Sequence, residues 1–195
     1  PGKPKRREVI LVSASPQQPG GVAVFRELVA HIAQGSTAVF LSPQVFKSDK
    51  SPLAWLPLAK KGKVELLPSW LYHKDEWAKR HPIFDGLPCG GLMDYTFYRE
   101  IISDLAWTGQ EVPAEVVAGA TNTSQDYSAG LTVSVNTLGA GQFILNTLNI
   151  QENLEKNPAA DRLLLNMLCH AARDTSKPLA DLPTDFDEQL KAMGY

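Results

Sequence analysis

The sequence predicts an α/β protein of three layers, α/β/α, on a mostly parallel sheet with an antiparallel hairpin toward the C-terminal end. Three observations carry this expectation. Two short runs, 8–14 (Glu-Val-Ile-Leu-Val-Ser-Ala) and 37–41 (Thr-Ala-Val-Phe-Leu), are apolar on both faces and rich in β-branched residues, as strands covered on both sides are. Between them, Val22, Phe25, Leu28, Val29 and Ile32 make the stripe of an amphipathic helix, which Gly35 closes. Strand, helix and strand within so few residues make one right-handed crossover. Later, 131–135 and 143–148 are joined by Gly139-Ala140-Gly141-Gln142, a Gly-rich link short enough to make a hairpin.

The elements between are less regular. Residues 53–61 read as a weak helix interrupted by Pro57, 64–67 and 115–120 as strands, and 94–105 as either helix or strand. The best helix is 158–172, with Pro158 in its first turn, Leu163, Leu164, Met167, Leu168 and Ala171 on one stripe, and Arg173 at its negative end. Cys169 reads as part of that apolar stripe, hence core. The domain is expected over 8–177, with a linker at 1–7 and a C-terminal extension at 178–195.

Composition narrows the function classes. The chain has 195 residues, enough for one sizeable core. A formal net charge of −2 gives no basic footprint for nucleic acid. The one basic run, Lys3 to Arg7, lies beside prolines and reads as solvated linker. No apolar run approaches the ~20 residues of a membrane span. Two cysteines make neither a disulfide framework nor a zinc pattern, and there is no GxGxxG or P-loop, so no metal or cofactor is expected.

The most constrained stretch is 81–95, His-Pro-Ile-Phe-Asp-Gly-Leu-Pro-Cys-Gly-Gly-Leu-Met-Asp-Tyr. It is a succession of turn pairs, because Pro fixes φ and Gly permits φ > 0. With Gly139-Ala140-Gly141-Gln142-Phe143-Ile144-Leu145 and Arg162-Leu163-Leu164-Leu165-Asn166, it forms an ordered set of motifs. Their order over about 8–173 resembles the class I glutamine amidotransferase-like fold, a flavodoxin-like layer. The branch it looks like is the ThuA-like group and the related C-terminal domains of bacterial β-galactosidase-like glycoside hydrolases. Gly90 to Tyr95, with Phe97-Tyr98-Arg99-Glu100, looks most like the glycosidase-attached branch. Members usually open with a further strand and helix, so the resemblance implies a chain cut from a larger parent, periplasmic or secreted export being in keeping with such a parent.

The resemblance also implies where a nucleophile would sit: a Cys on a sharp strand-to-helix turn, beside amide donors and a His. At that place stands Ser42-Pro43-Gln44, with no Cys, no Gly, and one amide fewer because of Pro43. Catalytic residues are therefore expected to be none, with Cys89 and His81 as the remaining candidates. His81 more simply holds its loop by a ring-to-backbone hydrogen bond. Asp85 reads as a turn residue, Asp94 as a helix cap and Glu100 as a surface charge, which leaves no carboxylate pair across a cleft. Ser13, Ser15, Gly20 and Gly21 read as a strand-to-helix connection rather than an anion cradle.

Aromatic residues crowd the irregular middle third, where they could fill core, interface or sugar contact. Trp70, Tyr72, Trp77, Asp94, Tyr95 and Tyr98 are the candidate interface residues. The expected function is a non-catalytic accessory domain that packs on the rest of a parent glycosidase or on itself as a homo-oligomer. Beside it stand a ThuA-like sugar-utilisation enzyme or cysteine hydrolase, and a carbohydrate-binding module.

Overall fold

A computed structural model describes residues 6–13, 21–49, 51–67, 74–123 and 127–195. Strand β1 (Val9–Val12), helix α1 (Gly21–Ala33) and strand β2 (Thr37–Phe40) form the crossover, with Val9 opposite Thr37 and Val12 opposite Phe40 in parallel. Then come β3 (Lys63–Leu66), β4 (Lys74–Ala78), β5 (Gly91–Leu92), the single turn α2 (Tyr95–Tyr98), β6 (Leu105–Thr108) and β7 (Glu115–Asn122). The hairpin β8 (Ser128–Leu138) and β9 (Gly141–Asn146), the single turn α3 (Ile150–Asn153), α4 (Pro158–Ala171) and α5 (Phe186–Ala192) complete the chain.

The mostly parallel, flavodoxin-like sheet is not what forms. The nine strands make one mixed sheet in the order β1-β2-β9-β8-β7-β4-β5, with β6 joined to β8 and β3 to β6. Among the described residues only β1–β2 and β2–β9 pair in parallel; all the other strand pairs are antiparallel. A parallel neighbour needs a crossover of a dozen or more residues, usually a helix. From β2 to α4 the described chain offers only α2, α3 and two 3-10 turns, at Pro43–Phe46 and Pro82–Phe84. The weak helix expected at 53–61 is a set of turns. Strands joined this way turn back on themselves, and the sheet becomes antiparallel.

The parallel part is covered on both faces. Ala38 and Phe40 of β2, with Phe143 and Leu145 of β9, face α1 and pack with Ile32, Phe46 and Trp107. Their alternates Val39 and Ile144 face α4 and join Leu163 and Met167 in the largest core, with Ile83, Phe84, Tyr98 and Ile101. The hairpin turn abuts the end of α1: a Cβ on Gly141 would lie 2.1 Å from the Ile32 carbonyl oxygen, so only glycine lets these backbones meet. The C-terminal extension is docked too. Phe186, Leu190 and Met193 pack on Val29 and Ala33 of α1, and Tyr195 stacks on Trp55. Arg7, in the expected linker, donates to the carbonyls of Pro178 and Ala140 and pairs with Asp174 at 3.6 Å.

Candidate functional site

The turn-rich loop is built inward. His81 caps the 3-10 turn Pro82–Phe84, its Nδ1 accepting the Ile83 N–H at 3.2 Å. Ile83 and Phe84 are fully buried. Two residues of α4 hold the loop from outside: Asn166 Nδ2 donates to the carbonyls of Ile83 (3.1 Å) and Asp85 (2.9 Å), and Arg162 Nε donates to Asp85 O (3.1 Å). Gly86, at φ +78°, leaves room for that guanidinium, since a Cβ there would sit 2.8 Å from Arg162 Nη2. The His-Pro, Gly-Leu-Pro and Arg-Leu-Leu-x-Asn motifs are thus parts of one clamp between loop and helix.

Beside the clamp lies a cluster of titratable groups. His81 Nε2 is 2.7 Å from Glu115 Oε2 at the start of β7, and the His170 ring, from the last turn of α4, lies 5.1 Å from the His81 ring. The donor atoms of His81, Glu115 and His170 fall within 4.8 Å of one another. His81 Nδ1 accepts an amide proton, so its own proton resides on Nε2 and points at the Glu115 carboxylate. A metal on Nε2 would drive that proton to Nδ1, against the Ile83 N–H. The arrangement of His81 therefore fits a hydrogen-bonded pair rather than a metal ligand. His170 is 3% exposed, and its Nδ1 is buried without a partner. Burial above all, then Arg173 and His81, push its pKa below the ordinary histidine value, against the opposing pull of Glu115.

Cys89 is half-buried against the main core. It follows Pro88, whose carbonyl accepts the Tyr98 hydroxyl at 2.6 Å, and it precedes edge strand β5 rather than a helix. Both His81 ring nitrogens are engaged elsewhere, so the structure does not join Cys89 and His81 into a nucleophile–base pair. Ser42 caps the turn Pro43–Phe46, its Oγ accepting the Gln44 N–H at 3.3 Å. Cys169, expected in the core, is exposed: it lies next to the buried face of α4 but points outward.

The interface candidates divide. Tyr98 is wholly buried, and burial raises its phenol pKa, with lesser contributions from Cys89 and Asp94. Asp94 caps α2 by accepting the Thr96 N–H at 2.6 Å. Tyr95 is 61% exposed, and its neighbours Phe97 and Leu92 are 47% and 67% exposed. Trp70 and Tyr72 lie outside the described residues.

Trp77 lies in a row that crosses six strands on one face: Val64, Trp107, Leu131, Gly119, Trp77 and Leu92 stand opposite one another in turn. Its ring fills the place of the side chain missing at Gly119, where a Cβ would be 2.5 Å from it. The row begins in the α1-side core at Val64 and Trp107 and runs out to the edge at Leu92. There an open hollow of about 490 Å³ is lined by Trp77, Ala78, Lys79, Arg80, Gly90 and Gly91.

On the opposite face, β4 carries a buried ion pair that sequence reading missed. Lys74 Nζ lies 3.1 Å from Glu76 Oε1 and donates to Asp104 Oδ1 (2.9 Å) and Ser103 O (3.0 Å). Glu115 and His170 were missed as well, because neither is near His81 in sequence. No family model and no curated protein matches this chain.

Proposed function

We propose that this chain is a non-catalytic accessory domain that works by docking on protein, within a bacterial glycoside hydrolase of β-galactosidase-like kind. The parent is read from the resemblance in the motifs at 81–95, 139–145 and 162–166. The docking role rests on one observation: the chemistry-bearing side chains of the turn-rich loop are spent on its own architecture, while the apolar ones at its end face outward. His81 holds Ile83 and Glu115, and Asp94 caps α2. Leu92, Tyr95 and Phe97 are left in solvent at the end of a sheet-crossing apolar row. Exposed apolar clusters rimmed by charge are what protein interfaces are made of. The catalytic carboxylates of the parent would lie outside these residues.

Sedimentation of the chain, alone and mixed with the remainder of the parent, tests this. Association is expected, weakened about tenfold or more by Leu92→Asp with Phe97→Ser, since anchors of this kind carry most of an interface. A chain that associates with neither overturns the reading, as does a hydrolytic activity abolished by Cys89→Ala. The Trp77 hollow favours a second reading, sugar contact; calorimetric binding of an oligosaccharide that Trp77→Ala abolishes would support it instead.

A further inference from the structure

We infer that His170 is an acid-operated latch: a proton taken up by its ring releases the loop at 81–90 from helix α4. The inference goes beyond the docking role and does not depend on it. His170 sits in the last turn of α4, 3% exposed, and the His81 ring packs on it from the loop at 5.1 Å. Among the described residues, three groups act on its charge: His81 from the loop, Glu115 from β7 and Arg173 from the turn that follows α4. As a cation His170 carries a proton on both ring nitrogens. Its buried Nδ1 has no acceptor while the loop is in place. His81 can offer none, because its Nδ1 accepts the Ile83 N–H and its Nε2 carries the proton given to Glu115. Glu115 is the one anion of the set, and its Oε2 already accepts that proton at 2.7 Å. Arg173 adds like charge. A buried cation without a hydrogen-bond acceptor is strongly disfavoured, so the closed cluster holds only neutral imidazoles.

What gives way is the loop rather than the helix. The end of α4 is anchored: Met167 and Ala171 are buried, and the Ala172 N–H bonds back to the carbonyls of His170 and Leu168. Beyond it, Arg7 pairs with Asp174 and donates to the Pro178 carbonyl. The loop covers His170 through His81, and its hydrogen bonds to α4 come from two side chains, Asn166 and Arg162. The N–H groups of Phe84, Asp85 and Leu87 bond to carbonyls of the loop itself, so it can leave as a unit. Burial of Ile83 and Phe84 keeps it shut at neutral pH. Once the loop lifts, His170 meets water and regains an ordinary histidine pKa near ~6.5. Below that pH each opening takes up a proton, and linkage to one proton raises the opening equilibrium about tenfold from pH 7.5 to 5.5.

Hydrogen exchange on the whole chain tests this, each rate being corrected for the intrinsic pH dependence of exchange. Between pH 7.5 and 5.5, opening at the Ile83, Phe84 and Leu87 amides should rise about tenfold. Opening at β3, which pairs with β6 and packs in the α1-side core, should stay unchanged. In His170→Gln, whose side chain does not titrate, the loop should open equally at both pH values. The comparison with β3 needs only the unaltered chain, so it decides the matter even if the variant fails to fold. A loop whose opening in the unaltered chain ignores pH overturns the inference. So does a rise that persists in His170→Gln, which would assign the proton to His81 or Glu115. A response of the Cys169 and Ala171 amides without the loop also overturns it, since His170 is then hydrated by fraying of its own helix. None of these results touches the docking role, which fails by a different one, the absence of association at pH 7.5.

Discussion

His170 shows how far a single side chain can be set by its surroundings. It is nearly inaccessible, its Nδ1 has no hydrogen-bond partner, and it packs against another imidazole. Each of these disfavours the cation, as does Arg173 nearby. The folded chain thus holds His170 neutral at a pH where the unfolded chain, with a histidine pKa near ~6.5, begins to take up a proton. Below that pH the unfolded state binds more protons, so stability falls as pH drops from about 6.5 toward the depressed folded value; above it this contribution is constant. Urea unfolding between pH 7.5 and 5.5 should show the loss, and His170→Gln should remove this part of the slope. An identical pH dependence in the two proteins would mean that His170 titrates normally in the fold.

At the scale of elements, the clamp between the loop and α4 accounts for the motifs at 81–90 and 162–166. Asn166 is buried, and its amide serves two loop carbonyls that the turn itself leaves open. Asn166→Ala takes that donor from both, and a buried carbonyl without a partner costs ~1–3 kcal/mol. Denaturant midpoints should fall accordingly, with the loop amides at Ile83 and Asp85 losing hydrogen-exchange protection first. A loss of stability spread evenly over the chain, with no local change, would count against the clamp. The clamp was only half legible in sequence. The turn chemistry of 81–90 and the caps at His81 and Asp94 are local, so residue order reveals them. Their holders are 77 to 83 residues away for α4, and 34 for Glu115. No local pattern specifies that distance. Arg162 and Asn166 stand out in the sequence only as part of a motif without a role, and nothing local ties His170 to His81.

For the whole molecule, the difference between expected and observed sheet follows from what each connection can do. The unit β1-α1-β2 was legible because strand apolarity and helix periodicity are both local and the helix joins them. The sense of the remaining strands was not, because a strand's direction depends on its connection, and those connections are turns. The result is a sheet of unequal protection. Strands β2 and β9 lie at its covered side, Ala38, Val39, Phe143, Ile144 and Leu145 having no solvent contact. Among the described residues, strand β3 is paired on one side only and shows exposed Lys63, Glu65 and Leu66, while β5 is an exposed two-residue edge. Local opening follows burial and partner number. Amides of Val39 and Ile144 should exchange only through global unfolding, with a free energy equal to that from denaturant. Amides of β3 and β5 should exchange through smaller openings that denaturant barely affects. If β5 alone gains protection as the chain is concentrated, its opening is coupled to association at that edge. If β3 and β5 exchange as slowly as β2 in the dilute chain, the sheet opens as one unit, and the two-sided cover of its parallel part confers no local advantage.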